Sequence, residues 1–453
     1  MPIRQVGIIL LAITFIAVAP EVQGQTTGLP NSVVARVTTS VDEDALRLQS
    51  IFKDIHQNPE LGFMETRTAA IVANELRGLG YTVKTGIGKT GVVGILENGE
   101  GPTVMFRADM DANAVEERTG LPWASNVRVN RRGIEVPVGH LCGHDAHVTW
   151  LISIAKTLSE LKDSWRGTVV LVAQPAEELI EGAAAMVADG LYAEHDVPKP
   201  QYFVALHTMP ATTGLILVPP GLITAGTEQI DVKFFGVGGH GSSPQYTKDP
   251  VVMSAMAIAQ YQMIVSRIVD PRDTAVLTVG AVLAGADNNV IPDEALLKLN
   301  LRFFDEAVHQ RMVSSIDAVN NGIARTYGMP EERLPTMTHK GFSTPLANTE
   351  QVVGRIGAML PTLDFVEADH VIRNFRAVTS SEDAHLLVKD VDDVEILYLL
   401  VGTAPEELVA EARKQGRAAP FAHHSPYYQV DLEAIPYGAK VGAVTLLELL
   451  GRK

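Results

Sequence analysis

Apolar positions recur with helical spacing from Asp42 to Gln57 (Leu46, Leu48, Ile51, Ile55), and Pro59 ends the run. Glu65 to Leu79 predicts a second helix, stopped by Gly80. Four short β-prone runs follow, Thr103–Phe106, Ile134–Val138, Val169–Ala173 and Tyr202–Ala205. They alternate with helical stretches such as Ala146–Leu161 up to about Pro220, which predicts an α/β domain with a mixed, mostly parallel sheet covered by helices. Near Gly221 the pattern changes. Strands are expected at Glu228–Val237, Thr274–Leu283, Ala295–Phe304 and Thr336–Lys340, with helices at Asp249–Ile268 and Glu306–Tyr327. That order, β-α-β-β-α-β, is the ferredoxin-like unit. An α+β domain of about 115 residues, an ordinary domain size, is therefore expected as an insertion over 224–340. It divides a larger domain into 25–223 and 341–453, which ends in an amphipathic helix over Tyr437–Leu450.

The first 24 residues read differently. Arg4 precedes an apolar stretch from Val6 to Val18 that is short for a bilayer span, and Val22-Gln23-Gly24 offers a cleavage site before Gln25. A secretory signal over 1–24 and an exported protein, periplasmic or secreted, are expected; the alternative is an uncleaved anchor. No later segment is expected to span a membrane. A net charge of -16 argues against nucleic acid as a partner, because phosphate contacts need clustered Lys and Arg.

Candidate chemistry sits where the β-prone runs end. Arg107-Ala-Asp109-Met-Asp111, Cys142-Gly-His144, Gln174-Pro-Ala-Glu177-Glu178 and His207 each follow one. Ligands in open α/β sheets gather at carboxyl ends of strands. A mixture of imidazole, thiolate and carboxylate suits a transition metal. Cys142 is the only cysteine, so no intramolecular disulfide exists, and its place at an expected helix start and a nearby metal both favour thiolate. Of the adjacent Glu177 and Glu178, one can bind metal while the other serves as general base. Asp109 or Asp111 can orient a ligand histidine. Gly239-His240-Gly241 matches neither a phosphate loop nor a nucleophile elbow, but lets a histidine approach a substrate. His423 and His424 are adjacent, so on an extended chain only one can face a site. His56, His195, His309, His339, His370 and His385 have no supporting neighbours and are expected at the surface.

These segments together resemble the M20 metallopeptidase family, in its amidohydrolase branch of hippurate, N-acyl-amino-acid and auxin-conjugate hydrolases. The resemblance runs from about Leu48 to the C-terminus. It includes His56-x-x-Pro-Glu-Leu-Gly62, Arg107-Ala-Asp-Met-Asp111, Cys142-Gly-His-Asp-Ala-His147, Gln174-Pro-Ala-Glu-Glu178, Gly239-His-Gly241, Asn289-Val-Ile-Pro292, Ser381-Glu-Asp383 and His424-Ser-Pro426. It implies a zinc-peptidase-like catalytic domain with an inserted lid of the kind that mediates dimers, so a homodimer through the lid is an expectation. It also implies two divalent metals, zinc or manganese first, cobalt or nickel as alternatives, held by Cys142, His144, Glu178, His207 and His424 with the thiolate bridging. Glu177 would be the general base, His240 would stabilise the oxyanion, Asp111 would support the ligands, and Asn289 and Arg302 would hold the substrate carboxylate. The substrate would be a small N-acyl amino acid, a related amino-acid conjugate or a dipeptide. The family's Met-His-Ala-Cys-Gly-His is Gly139-His-Leu-Cys-Gly-His144 here, and its Asp-Ala-Leu-Pro is Asp111-Ala-Asn-Ala114. Neither change removes a ligand.

Three other readings compete. A cysteine hydrolase would use Cys142 with His144 or His147 and need no metal. A periplasmic ligand-binding protein would have no use for Glu177. A dinuclear phosphoesterase would want a basic phosphate clamp, which the sequence does not offer.

Overall fold

The computed structural model describes residues 28–131 and 133–452, and the expected signal over 1–24 lies outside them. Its main sheet has the strand order Thr82–Ile87, Gly91–Glu97, Thr168–Gln174, Thr103–Asp109, Tyr202–Thr212, Glu395–Ala404, closed at the far edge by two-residue strands at Ile216–Leu217 and Val371–Ile372. The four central strands are parallel and the first two antiparallel. Val169 to Leu171 and Val104 to Phe106 are buried on both faces, as continuous apolar runs demand in a helix-covered sheet.

One face is covered by the helices Asn31–Gln57, His144–Glu160 and Ala434–Leu449. The first begins at Asn31, not Asp42, because Val34, Val37 and Val41 continue the buried stripe backwards. Trp150 ties the layer together. It is fully buried, donates from Nε1 to the Ala434 carbonyl (3.1 Å), and packs against Gly438 so closely that a Cβ there would collide with the indole.

The run Ile134–Val138 does not join the main sheet. Ile134–Pro137 forms a two-stranded hairpin with Arg128–Arg131, and a loop leads from it to the helix that starts at His144. A four-residue run with exposed Ile134 and Glu135 has too little apolar surface to be buried among parallel strands.

The second unit is a four-stranded antiparallel sheet in the order Ala275–Ala284, Glu294–Phe303, Gly226–Phe235, Thr336–Ser343. The helices Pro250–Met263 and Glu306–Thr326 cover one face over Ile230, Val232, Phe234, Leu297 and Leu299. Asp249 and Asp305 cap them by accepting backbone N–H groups. Alternation along Glu294–Phe303 sends the apolar residues to the helices and Lys298, Asn300 and Arg302 to the other face. By length and composition alone Pro250–Ile268 is long and apolar enough to cross a membrane, an apolar length that no segment beyond the first 24 residues is expected from sequence to reach. Met253, Ala257, Tyr261 and Ile264 of it are buried in the lid core, while Val251, Val252, Met256 and Met263 are exposed.

Gly438→Val should lower stability by about 1–3 kcal/mol through overpacking against Trp150. Thermal unfolding followed by circular dichroism checks this, and an unchanged midpoint would contradict the close helix contact.

Candidate metal centre

Asp109 ends the strand Thr103–Asp109, beside a guanidinium that is wholly out of water. Arg107 donates to Asp109 Oδ2 (2.6 Å), Glu382 Oε1 (2.9 Å) and Gln174 Oε1 (2.9 Å). A buried cation is tolerated only when paired and hydrogen-bonded, and here the pairing joins two sheet strands to the segment Ser381–Asp383. Burial alone would raise the Asp109 carboxyl, but Arg107, His144 and His147 hold it well below its ordinary value. Its other oxygen meets His147 Nδ1 at 2.5 Å.

Asp111 has a different task. Its two oxygens accept the backbone N–H groups of Glu177 and Glu178, each at 3.0 Å. These fix the short turn Glu177–Leu179 at the end of the strand Thr168–Gln174, which is flanked by Ala176 (φ 49) and Ile180 (φ 55) in the left-handed region. Such backbone persists only where its surroundings enforce it, and Asp111 is one enforcer. The turn splits the two glutamates. Glu178 Oε1 lies 3.1 Å from His424 Nε2, and Glu177 lies among Glu382 and Asp383. Burial, reinforced by Glu382, Glu178 and Asp383, pushes the Glu177 carboxyl well above its ordinary range, whereas His424 and His144 overcome burial and lower Glu178.

Cys142 and His144 flank Gly143, whose φ of 84 makes the bend into the helix. His144 is fully buried, with Nε2 3.6 Å from Asp109 and 3.9 Å from both Glu177 and Glu178, and Nδ1 3.4 Å from Asp111. Neither ring nitrogen makes a hydrogen bond. His207 donates from Nδ1 to the Thr208 carbonyl (2.7 Å), which leaves Nε2 as a bare lone pair 3.8 Å from Cys142 Sγ. Cys142, Glu178 and His424 form one group of close donor atoms, and His144, Glu177 and Glu178 another.

These donors fit divalent metal. Buried imidazole nitrogens without partners are rare unless a ligand belongs there. The histidine tautomer at His207 is set by its carbonyl partner, as in metal-ligating histidines generally. Of the two expected sources of a Cys142 thiolate, the helix start and a nearby metal, the helix start does not suffice. Burial and the surrounding Glu178, Glu177 and Asp109 push the thiol well above its ordinary value, so a thiolate here requires a neighbouring cation. The cysteine-hydrolase reading loses one of its two histidines, His147. His147 accepts the Thr208 N–H at Nε2 (2.9 Å), so its own proton sits on Nδ1, facing Asp109 and not the sulfur. His207 is held well below its ordinary value by burial, so it and the thiol form a neutral pair.

His423 and His424 are not extended as expected. His424 has φ 63 at a turn, so both rings can face inward, His424 toward Glu178 and His423 toward the Thr208 carbonyl (3.1 Å). The lid residues divide. Arg302 lines a cavity of about 560 Å³ together with Cys142, Glu177, His207 and His424, and it is gripped by Asn300 Oδ1 (2.9 Å) and the Ser381 hydroxyl. His240 and Asn289 do not line it. They sit exposed on the pairing of Gly239–His240 with Val290–Ile291, and His240 Nδ1 accepts the Ser242 N–H at 3.1 Å.

Several contributors escaped the sequence reading. Asn300 and Gln229 lie opposite each other in register on the cavity face of the lid, a position that strict alternation with Leu299 and Leu301 signals. Tyr398 lines the cavity and donates to Glu382 (2.8 Å), with no local motif to mark it. Three of the histidines expected at the surface are buried. His56 bridges Asp145 (2.6 Å) and Glu117 (3.1 Å), His309 meets Glu228 (2.7 Å), and His385 meets the Thr344 hydroxyl (2.8 Å). Each found a partner distant in sequence, which a search for near neighbours cannot see.

Residues 105–448 match the model of peptidase family M20/M25/M40. The chain is 39% identical over 279 residues to hippurate hydrolase of Campylobacter jejuni, covering 61% of this chain and 70% of that protein. It is 32% identical over 404 residues to the IAA-amino acid hydrolase ILR1-like 4 of Arabidopsis thaliana, 87% of this chain and 83% of that one. In fold it is similar to the YXEP protein of Bacillus subtilis, a dinuclear metal-binding peptidase of the M20 family, with TM-score 0.67, 23% identity, and coverage of 90% and 99% of the two chains. The chain therefore belongs to peptidase family M20/M25/M40, in its amidohydrolase branch, and is a hydrolase of amide bonds.

Proposed function

We propose that the protein releases free amino acids from N-acyl amino acids, using two divalent metals and Glu177 as general base. The observation that carries this reading is the division between the adjacent glutamates. Glu178 turns toward Cys142 and His424, and Glu177 lines the same cavity with a strongly raised proton affinity. The names of the relatives, hippurate hydrolase and IAA-amino acid hydrolase, support an acyl group joined to an amino acid. Zinc or manganese suits the Cys, His and Glu donors, with cobalt or nickel as alternatives.

Bound metals would supply polarisation of the scissile carbonyl and acidification of water. Glu177 accepts the water proton at a carboxylate oxygen and delivers it to the leaving nitrogen. Arg302, held by Asn300 and Ser381, pairs with the substrate carboxylate on the lid side of the cavity. Met209, Leu400, Phe375 and Val378 give the cavity an apolar wall for the acyl group. His240 lies outside the cavity, so its role at the oxyanion requires the lid to close or a second copy to present it.

The edge strand Ala275–Ala284, with exposed Val282 and Leu283, and the exposed side of Pro250–Ile268 support pairing of two lids in a homodimer. Export, to the periplasm or beyond, is supported by residues 1–24 alone.

Glu177→Gln should keep full metal content by elemental analysis while kcat on N-benzoylglycine falls by about 10²–10⁴-fold; near-wild-type turnover would sink the assignment of the base. Arg302→Met should raise KM for N-acyl amino acids by roughly 10–100-fold, the loss of a charged hydrogen-bonded pair. Substrate analogues amidated at the carboxylate should respond little, and an equal loss on both would contradict the carboxylate contact. Leu283→Lys should shift the sedimentation coefficient from dimer to monomer, and a wild-type monomer would contradict lid pairing.

A further inference from the structure

Thr208 is fully buried one residue beyond His207, and each of its polar groups is spent on a segment that bears a candidate ligand. Its N–H donates to His147 Nε2 (2.9 Å). Its carbonyl accepts from His207 Nδ1 (2.7 Å) and from His423 Nε2 (3.1 Å). Its hydroxyl donates to the Cys142 carbonyl (2.8 Å) and accepts from the Tyr428 hydroxyl (2.8 Å). The side chain also packs on Gly143 so tightly that a Cβ there would collide with its hydroxyl.

Three stretches of chain that are far apart in sequence thus meet on one residue. The bend carrying Cys142 and His144 rests on the hydroxyl, the strand end carrying His207 is continuous with it, and the turn carrying His424 is tied through His423 and Tyr428. Glu178 alone among the candidate ligands is oriented from elsewhere, by Asp111. Resting on the metal reading above, we propose that Thr208 is the positioning residue of the metal centre and that its hydroxyl, driven by the Tyr428 donor, sets the place of the Cys142 sulfur relative to His207 and His424.

The hydroxyl can be removed while the backbone contacts stay. Thr208→Val keeps the shape, the N–H and the carbonyl, but leaves the Cys142 carbonyl and the Tyr428 hydroxyl without their partner. Thr208→Ser restores the hydroxyl without the methyl. Full-length protein of each variant is stripped of metal and titrated with zinc against a chromogenic chelator. It is then loaded with cobalt, and the near-ultraviolet thiolate-to-cobalt band is recorded.

Thr208→Val should bind zinc about 10–100-fold more weakly, the range found when partners of metal ligands are lost, with a displaced or weakened cobalt band. Thr208→Ser should recover most of both. Wild-type zinc affinity and an unchanged cobalt spectrum in Thr208→Val would overturn the proposal, as would a serine variant no better than valine. A purely structural role would lower the unfolding midpoint of the metal-free protein without moving the cobalt band. If the valine variant does not fold, Tyr428→Phe decides. It deprives the Thr208 hydroxyl of its donor and should move the band and weaken zinc binding, and wild-type behaviour would overturn the role of the chain. Should the wild-type protein bind no zinc or cobalt, the metal reading fails and this role fails with it. Metal binding that is equal in all variants removes the positioning role alone.

Discussion

The organising constraint is buried acidity. Asp109, Asp111, Glu177, Glu382 and Asp383 are out of water around one end of the main sheet, with Glu178 almost so. Burying a carboxylate is expensive unless positive charge or donors compensate. Arg107 answers for part of this, joining Asp109, Glu382 and Asp383. Backbone N–H groups answer for Asp111. What is left over faces the cavity beside His144, whose proton affinity those carboxylates drive up to about 10 despite its burial. A region that raises a fully buried histidine and an interior thiol together is asking for cations, and the surrounding donors are of the types that bind them.

Around that excess of charge, neighbouring residues of the same type take opposite roles. Asp109 grips Arg107 and His147, while Asp111 pins a strained turn. Glu178 faces His424, while Glu177 faces the acidic interior. His423 holds a carbonyl, while His424 turns to a carboxylate. In the glutamate and histidine pairs backbone geometry, not residue type, decides the role: left-handed residues at Ala176, Ile180 and His424 redirect the side chains. The lid adds a polar face of Thr227, Gln229, Asn300 and Arg302 to one side of the cavity.

Much of this is readable in the chain. Apolar runs that end in Asp109, in Gln174 before the glutamates, and around His207 do mark sheet strands delivering side chains to one edge. The lid's alternation along Glu294–Phe303 marks its two faces. The run Ile134–Val138 misleads because local β-propensity says nothing about whether a strand joins the main sheet, and Cys142 and His144 come instead from a helix start. The same limit hides His56, His309 and His385, whose carboxylate or hydroxyl partners lie 89, 81 and 41 residues away. It hides Thr208 as well, since a threonine in a strand carries no sign of the segments it will hold. The position of His240 and Asn289 outside the cavity depends on how the lid sits, which no local pattern encodes.

Metal-dependent amide hydrolysis is tested by the release of free amino acid from a panel of N-acetyl, N-benzoyl and longer N-acyl amino acids, before and after verified metal removal, with zinc and manganese added back. Activity should disappear with the metal and return on add-back. Activity that survives verified removal of metal would contradict it and return attention to Cys142 as a nucleophile.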